Sequence, residues 1–176
     1  MNNYLSVMFV KDIKKYILPG IIFVSLIGTL FHFVYGWSGN NVIIGLFTPV
    51  NESIWEHTKL IFFPMMIYSL FFSKKTIKQF PCITSAMIIG SIIGISLIIS
   101  LFYTYSGIIG FNIALVDILI FYISVVIAFL FVYKKAISCK TDKCKTLLII
   151  LQIIMICLYV IFTFSPLNIP LFISPT

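Results

Sequence analysis

The 176-residue chain has no arginine, five acidic residues, two histidines and only 10% charged residues in all. So little charge excludes an ordinary soluble domain: 61% of residues are hydrophobic and the mean hydropathy is +1.15, against roughly 45–50% apolar in soluble proteins. Most of the surface must therefore be solvated by lipid. Alternating polarity in segments of about 10 residues is also lacking, which excludes a transmembrane β-barrel. The N-terminus MNNYLSVMFVKDIKKYILPG lacks a short apolar stretch followed by a small-residue cleavage site, so no removable signal peptide is expected.

What is present is a set of long apolar runs. A helix crossing a core of about 30 Å needs about 20 residues, and five runs qualify, at about 17–36, 54–73, 81–103, 108–132 and 146–164. The expected fold is all-α: one integral membrane bundle of about five transmembrane helices, preceded by an amphipathic segment (residues 4–15) lying on the membrane surface. The lysines set its orientation. Lys11, Lys14 and Lys15 precede the first run, Lys74, Lys75 and Lys78 join the second to the third, and Lys134, Lys135, Lys140, Lys143 and Lys145 join the fourth to the fifth. Eleven of twelve thus fall on one side, as the positive-inside rule asks of cytoplasmic loops. The N-terminus is expected in the cytoplasm and the C-terminus outside, in a multi-pass plasma-membrane protein whose partner is the lipid bilayer and not nucleic acid. Cys82, Cys139 and Cys144 then lie near the cytoplasmic face, where thiols stay reduced, and Cys157 lies within the fifth span.

Against this background PVNESIWEHTKL, residues 49–60, crowds two glutamates, a histidine and a lysine into eight positions. With Asn51 as helix cap, Glu56 lies roughly 7 Å and Lys59 roughly 12 Å inward. Helical spacing places Glu52, Trp55, Glu56, Lys59 and Phe63 on one stripe, with His57 on the flank beside Ser53. Pro64 removes a hydrogen bond to Leu60 and predicts a kink beneath the cluster. Span one offers His32 at the same depth, with Ser25, Gly28 and Thr29 below it. Span three ends in Tyr103, Thr104 and Tyr105, and span four begins with Asn112 and Asp117.

Ionisable groups facing lipid near mid-membrane cost about 2.5–3.5 kcal/mol, so they turn inward and pair. One outward-opening pocket is expected, lined by His32, Glu52, Glu56, His57, Lys59, Tyr103 and Asp117, with Asn112 at its rim. Three acids against one lysine leave a negative excess, relieved by protonation or by a bound cation. Glu52, Glu56, His57 and Asp117 are the catalytic candidates. Asn51, Trp55, Lys59, Tyr103, Tyr105 and Asn112 are the substrate contacts.

Imidazole and carboxylate suit zinc and related divalent ions, and His32, His57 and Asp117 are candidate ligands, with Glu56 as general base. The H-E-x-x-H motif is absent, and Ser53-Ile-Trp-Glu-His breaks the H-x-x-E-H pattern at its first position. G-x-S-x-G and phosphate-cradling glycine loops are also absent. The first functional reading is a metal-assisted membrane-embedded hydrolase, or a binding site, for a lipid or extracytoplasmic substrate; proton- or ion-coupled transport is the second reading, and a structural or interaction role the third. In the bland version Glu56 and Lys59 simply pair along the helix and Asp117 bonds a neighbouring span. Ala86, Gly90 and Gly94 make a small-residue stripe, fit for packing within the bundle or for a homo-oligomer face. The tail SPLNIPLFISPT, with three prolines, is expected to lie extended across the outer mouth.

The phrases FHFVYGWSGNNVIIGLFTPVNESIWEHTKL, LFYTYSGIIGFNIALVDILIF and TFSPLNIPLF resemble an uncharacterised family of small bacterial membrane proteins with a PVNES-x-WEH-x-K signature. The resemblance covers nearly the whole chain. It implies a bacterial membrane protein and supplies no activity. Family members often continue past the PLF segment with an acidic residue and a glycine-tyrosine ending, where this chain has ISPT, so a shortened C-terminus is one reading.

Overall fold

The computed structural model describes residues 2–139 and 144–175, with side chains described from residue 13 onward. Lys140 and Lys143, and the side chain of Lys11, lie outside the described residues. Among the described residues the fold is all-helical: α1 (Asn2–Trp37), α2 (Val42–Gly45), α3 (Ile54–Leu70), α4 (Lys74–Gln79), α5 (Ile83–Ile109), α6 (Ala114–Ser138) and α7 (Lys145–Phe164), followed by a single 3-10 turn, Pro170–Phe172. Four of these helices are long and apolar enough to cross a membrane: Ile13–Trp37 within α1, then α5, α6 and α7.

The second expected span is built differently from the others. At 17 residues α3 is about 25 Å long, a little short of a bilayer core, and twelve of its residues are buried. It is the central post, enclosed by α1, α5 and α7 rather than turned to lipid. Pro64 lies inside it without interrupting the helix. Proline cannot donate to the Leu60 carbonyl, and α1 packs closely there: a Cβ on Gly28 would stand 2.5 Å from that oxygen.

The other boundaries have local causes. The segment expected to lie separately on the membrane surface is the first part of α1, in one unbroken helix with Pro19 inside it. Span three runs on through YTYSG, because Thr104 and Ser106 bond carbonyls four residues back and nothing stops the helix before Gly110, at φ 90°. Span four begins correspondingly later, at Ala114.

Small residues let the helices close. Ala86, Gly90 and Gly94 are buried against α3 and α6 of the same chain, where Met65, Ile61, Ala128 and Val132 leave no room for larger side chains at the glycines. At the lysine-rich end, Tyr16 ties α1 to its neighbours, its carbonyl accepting from the Tyr68 hydroxyl and its own hydroxyl bonding Thr76. The expectation of reduced thiols at this end is corrected, because Cys82 and Cys139 form a disulfide. The antiparallel packing of α5 and α6 brings their Cα atoms to 5.2 Å, within reach of a bridge. Cys144 and Cys157 are free and exposed.

Candidate functional site

The start of α3 sorts the charged motif into two separate clusters. The cap is Ser53, not Asn51: the Ser53 hydroxyl accepts from the Glu56 amide and the Asn51 side chain accepts from the Ser53 amide. Glu52 therefore sits in a turn outside the helix, free to face the His57 side rather than the stripe of Trp55, Glu56 and Lys59.

On one face Glu56 and Lys59 make a closed ion pair. They are 2% and 0% exposed, and Lys59 Nζ lies 2.6 Å from Glu56 Oε2. Lys59 also donates to the Gly45 carbonyl at 2.9 Å and to Thr163 Oγ1 at 2.7 Å. Glu56 Oε2 accepts from the Val50 amide, and Thr163 Oγ1 lies 3.2 Å from Glu56 Oε1. Every strong donor and acceptor of the pair is thus taken up by α2, its following loop and α7. Trp55 belongs to this side too, packed among Tyr159, Phe162 and Phe172. The expectation that Glu56 and Lys59 line the pocket is corrected by this geometry, and Trp55, expected as a substrate contact, is not part of the cavity lining. What the motif alone could not reveal is Thr163, a hydroxyl 104 residues away that completes the lysine's coordination.

On the other face lies a cavity of about 500 Å³, lined at its polar end by His32, Glu52, His57, Asn112 and Asp117. The five come from five different segments, α1, the turn before α3, α3, the α5–α6 connection and α6, which all meet here. One potential ligand atom from each of His32, Glu52 and His57 falls within 4.8 Å of the others, and the two imidazole rings lie 5.2 Å apart. His57 Nδ1 is 2.9 Å from the Ser53 carbonyl, which can only accept, so that nitrogen carries the proton. Nε2 is then turned to Glu52 Oε2 at 3.3 Å. When His57 is the imidazolium its Nε2–H donates to Glu52, and that hydrogen bond holds the Glu52 carboxyl below the ordinary carboxylate range, against an opposing push from partial burial.

Asp117 lines the same cavity but is not one of the three residues whose potential ligand atoms lie together, so the expected candidate set of His32, His57 and Asp117 is not the cluster found there. The Asp117 carboxylate accepts a short hydrogen bond from Tyr105, whose hydroxyl in turn accepts from the Ile113 amide at 3.0 Å. Tyr105 thus joins the α5–α6 turn to the cavity. Tyr103 stands apart, in a neighbouring hollow beneath Pro170–Pro175. Asn51 is exposed at the turn. The tail is anchored by Phe172, and Pro175 reaches the cavity lining. Tyr122, unremarked in the sequence, bonds Thr29 across α1 and α6 at 3.0 Å.

The chain is thus an all-helical bundle whose four long apolar helices are compatible with a membrane protein, with a histidine–carboxylate cavity at one end. The chain belongs to the family of unknown function DUF6512, which it matches over residues 5–175. No curated protein and no solved structure matches it.

Proposed function

We propose that the protein is a multi-pass membrane hydrolase in which His32, Glu52 and His57 hold a divalent ion of the zinc class. The observation that carries this reading is the convergence of two imidazoles and one carboxylate from separate segments within 4.8 Å. A tetrahedral ion with bonds of about 2.0–2.1 Å sets its ligands roughly 3.3 Å apart. His57 Nε2 and Glu52 Oε2 already have that spacing. The hydrogen bond from Nδ1 to the Ser53 carbonyl orients the ring, as in established metal sites, and leaves Nε2 as the ligand.

Two histidines and one carboxylate leave one coordination position open, and an ion there supplies a water made acidic enough to act as a nucleophile near neutral pH. Asp117, held by Tyr105, is the general acid–base candidate in the same cavity. Glu56 and Lys59 have no chemical part, since their partners are all internal.

Depth favours this reading over a carrier. Inward of His57 and Asp117 the lining turns to Leu60, Ile98, Ile120 and Phe121, its remaining polar pair, Thr29 and Tyr122, bonds to itself, and Gly28 packs tightly on Leu60 and Phe121. Gln152, on α7, is not part of the lining. We place the cavity end outside a bacterial cytoplasmic membrane, with α3 as a fifth, protein-enclosed span, because the described lysines other than Lys59 gather at the opposite end.

Elemental analysis of purified protein tests the proposal. One zinc-class ion per chain is expected, lost in His32→Ala and His57→Ala and kept in Tyr103→Phe. A metal-free protein after zinc loading, or full occupancy in His57→Ala, would overturn it.

A further inference from the structure

The cavity has two unlike walls. Toward α3 and α5 it is sealed: Leu60, Ile98 and Phe102 are each 6% exposed. Toward α1 and α6 the lining residues Phe33, Ile118 and Tyr122 are 49%, 53% and 37% exposed. This flank is continuous with the outward apolar faces of the same helices, Leu26 and Leu30 on α1 and Leu115 and Leu119 on α6. At its inner end the Thr29–Tyr122 hydrogen bond ties the two helices together. The opening is therefore a slot between two helices that are long and apolar enough to cross a membrane, and its surroundings are acyl chains rather than water.

Charge narrows what can use the slot. The described lining contains two carboxylates, Glu52 and Asp117, and neither lysine nor arginine. Lys59, the nearest buried cation in the motif, is committed to Glu56 and Thr163 on the other face of α3. An anionic headgroup would find no net positive charge to hold it, since without an ion the two carboxylates outnumber a protonated His57 and a divalent ion would only balance them, whereas a neutral carbonyl would add no charge. The polar end, with Asn112 beside Asp117, suits a group that accepts and donates hydrogen bonds without carrying charge.

We infer that the cavity takes a neutral acyl lipid, which reaches it sideways from the bilayer between α1 and α6 and sets its ester or amide carbonyl at the His32–Glu52–His57 end. One acyl chain stays in the slot along Phe33, Ile118 and Tyr122, and the remainder stays in the bilayer. The inference rests on the metal reading only for what happens to the carbonyl; the route and the charge class stand on the cavity.

Photolabelling separates the two. The full chain is reconstituted in phosphatidylcholine vesicles containing a small fraction of diacylglycerol with a diazirine on one acyl chain. A parallel sample carries the same chain on phosphatidic acid, and zinc content is measured on both. Labelling by the diacylglycerol probe is expected on α1 and α6 peptides around Phe33, Ile118 and Tyr122, at least several-fold stronger than by the phosphatidic acid probe. Ile118→Trp, at an exposed position, should cut it several-fold while leaving zinc content and thermal melting unchanged, and Phe33→Trp, at a ring that neighbours His32, should cut it as well. Equal labelling in wild type and both tryptophan variants, or stronger labelling by phosphatidic acid, overturns the inference. Slot-specific labelling in a protein that takes up no zinc supports the route and the lipid class while removing the hydrolase.

Discussion

Glu56 and His57 are adjacent in sequence and opposite in character. Glu56 is sealed into an ion pair whose bonds are all internal, while His57 faces a cavity beside another histidine and an exposed carboxylate. One turn of one helix therefore serves two ends: its Glu56–Lys59 face fastens α3 to α2 and α7, and its His57 face, with α1 and α6, builds an open polar chamber. A buried charge with every partner supplied by the protein is a fastening. Polar groups that converge with ligand positions to spare are a site.

The largest effect should come from breaking the fastened side. Glu56→Ala or Lys59→Ala leaves its partner charged, buried and alone, at a cost of about 3–5 kcal/mol, read as a large drop in denaturation midpoint in detergent. His57→Ala should lower it far less. If His57→Ala proved the more destabilising, the division between the two faces would be wrong.

A smaller loss is expected from Thr163→Val, which removes the hydroxyl touching both charges and should cost about 1.5–3 kcal/mol without altering metal content. Loss of metal there would join the two clusters into one. The side each end faces can be read with a membrane-impermeant maleimide on intact cells. The exposed thiol Cys144 should be labelled only after permeabilisation, as the cytoplasmic placement of the lysine-rich end requires; labelling in intact cells would reverse that placement and put the Cys82–Cys139 disulfide in an oxidising compartment.

The smallest effect is on pH dependence. The Glu52 pKa is lowered in the folded protein, so its contribution to stability is present above the ordinary carboxylate value and is lost as pH falls through the folded one. Metal-free protein should lose melting temperature as pH falls below the ordinary carboxylate value and through the lowered one, and Glu52→Gln should flatten that slope. An unchanged slope in Glu52→Gln would remove the Glu52–His57 bond from the account.

Much of the architecture was legible in the sequence. Lysine clusters and apolar runs located the helices, and the charge-rich start of α3 marked where charged and polar side chains gather. Which face each charge takes was not legible, because it depends on long-range partners: Thr163 for Lys59, Tyr105 for Asp117, His32 for His57. Cap chemistry moved Glu52 as well. Either Asn51 or Ser53 could have started the helix on residue type alone, and the two-residue difference decides whether Glu52 continues the Glu56 stripe or leaves it. The Cys82–Cys139 bridge was hidden for a similar reason, as it follows from how α5 and α6 pair rather than from the spacing of the cysteines.

The most direct measurement is a calorimetric zinc titration of chelator-treated wild type, His57→Ala and Thr163→Val, run side by side. One site per chain in wild type and Thr163→Val, with none in His57→Ala, is the predicted result. Absence of binding in wild type, or an unchanged isotherm in His57→Ala, would contradict an open metal-holding face on α3.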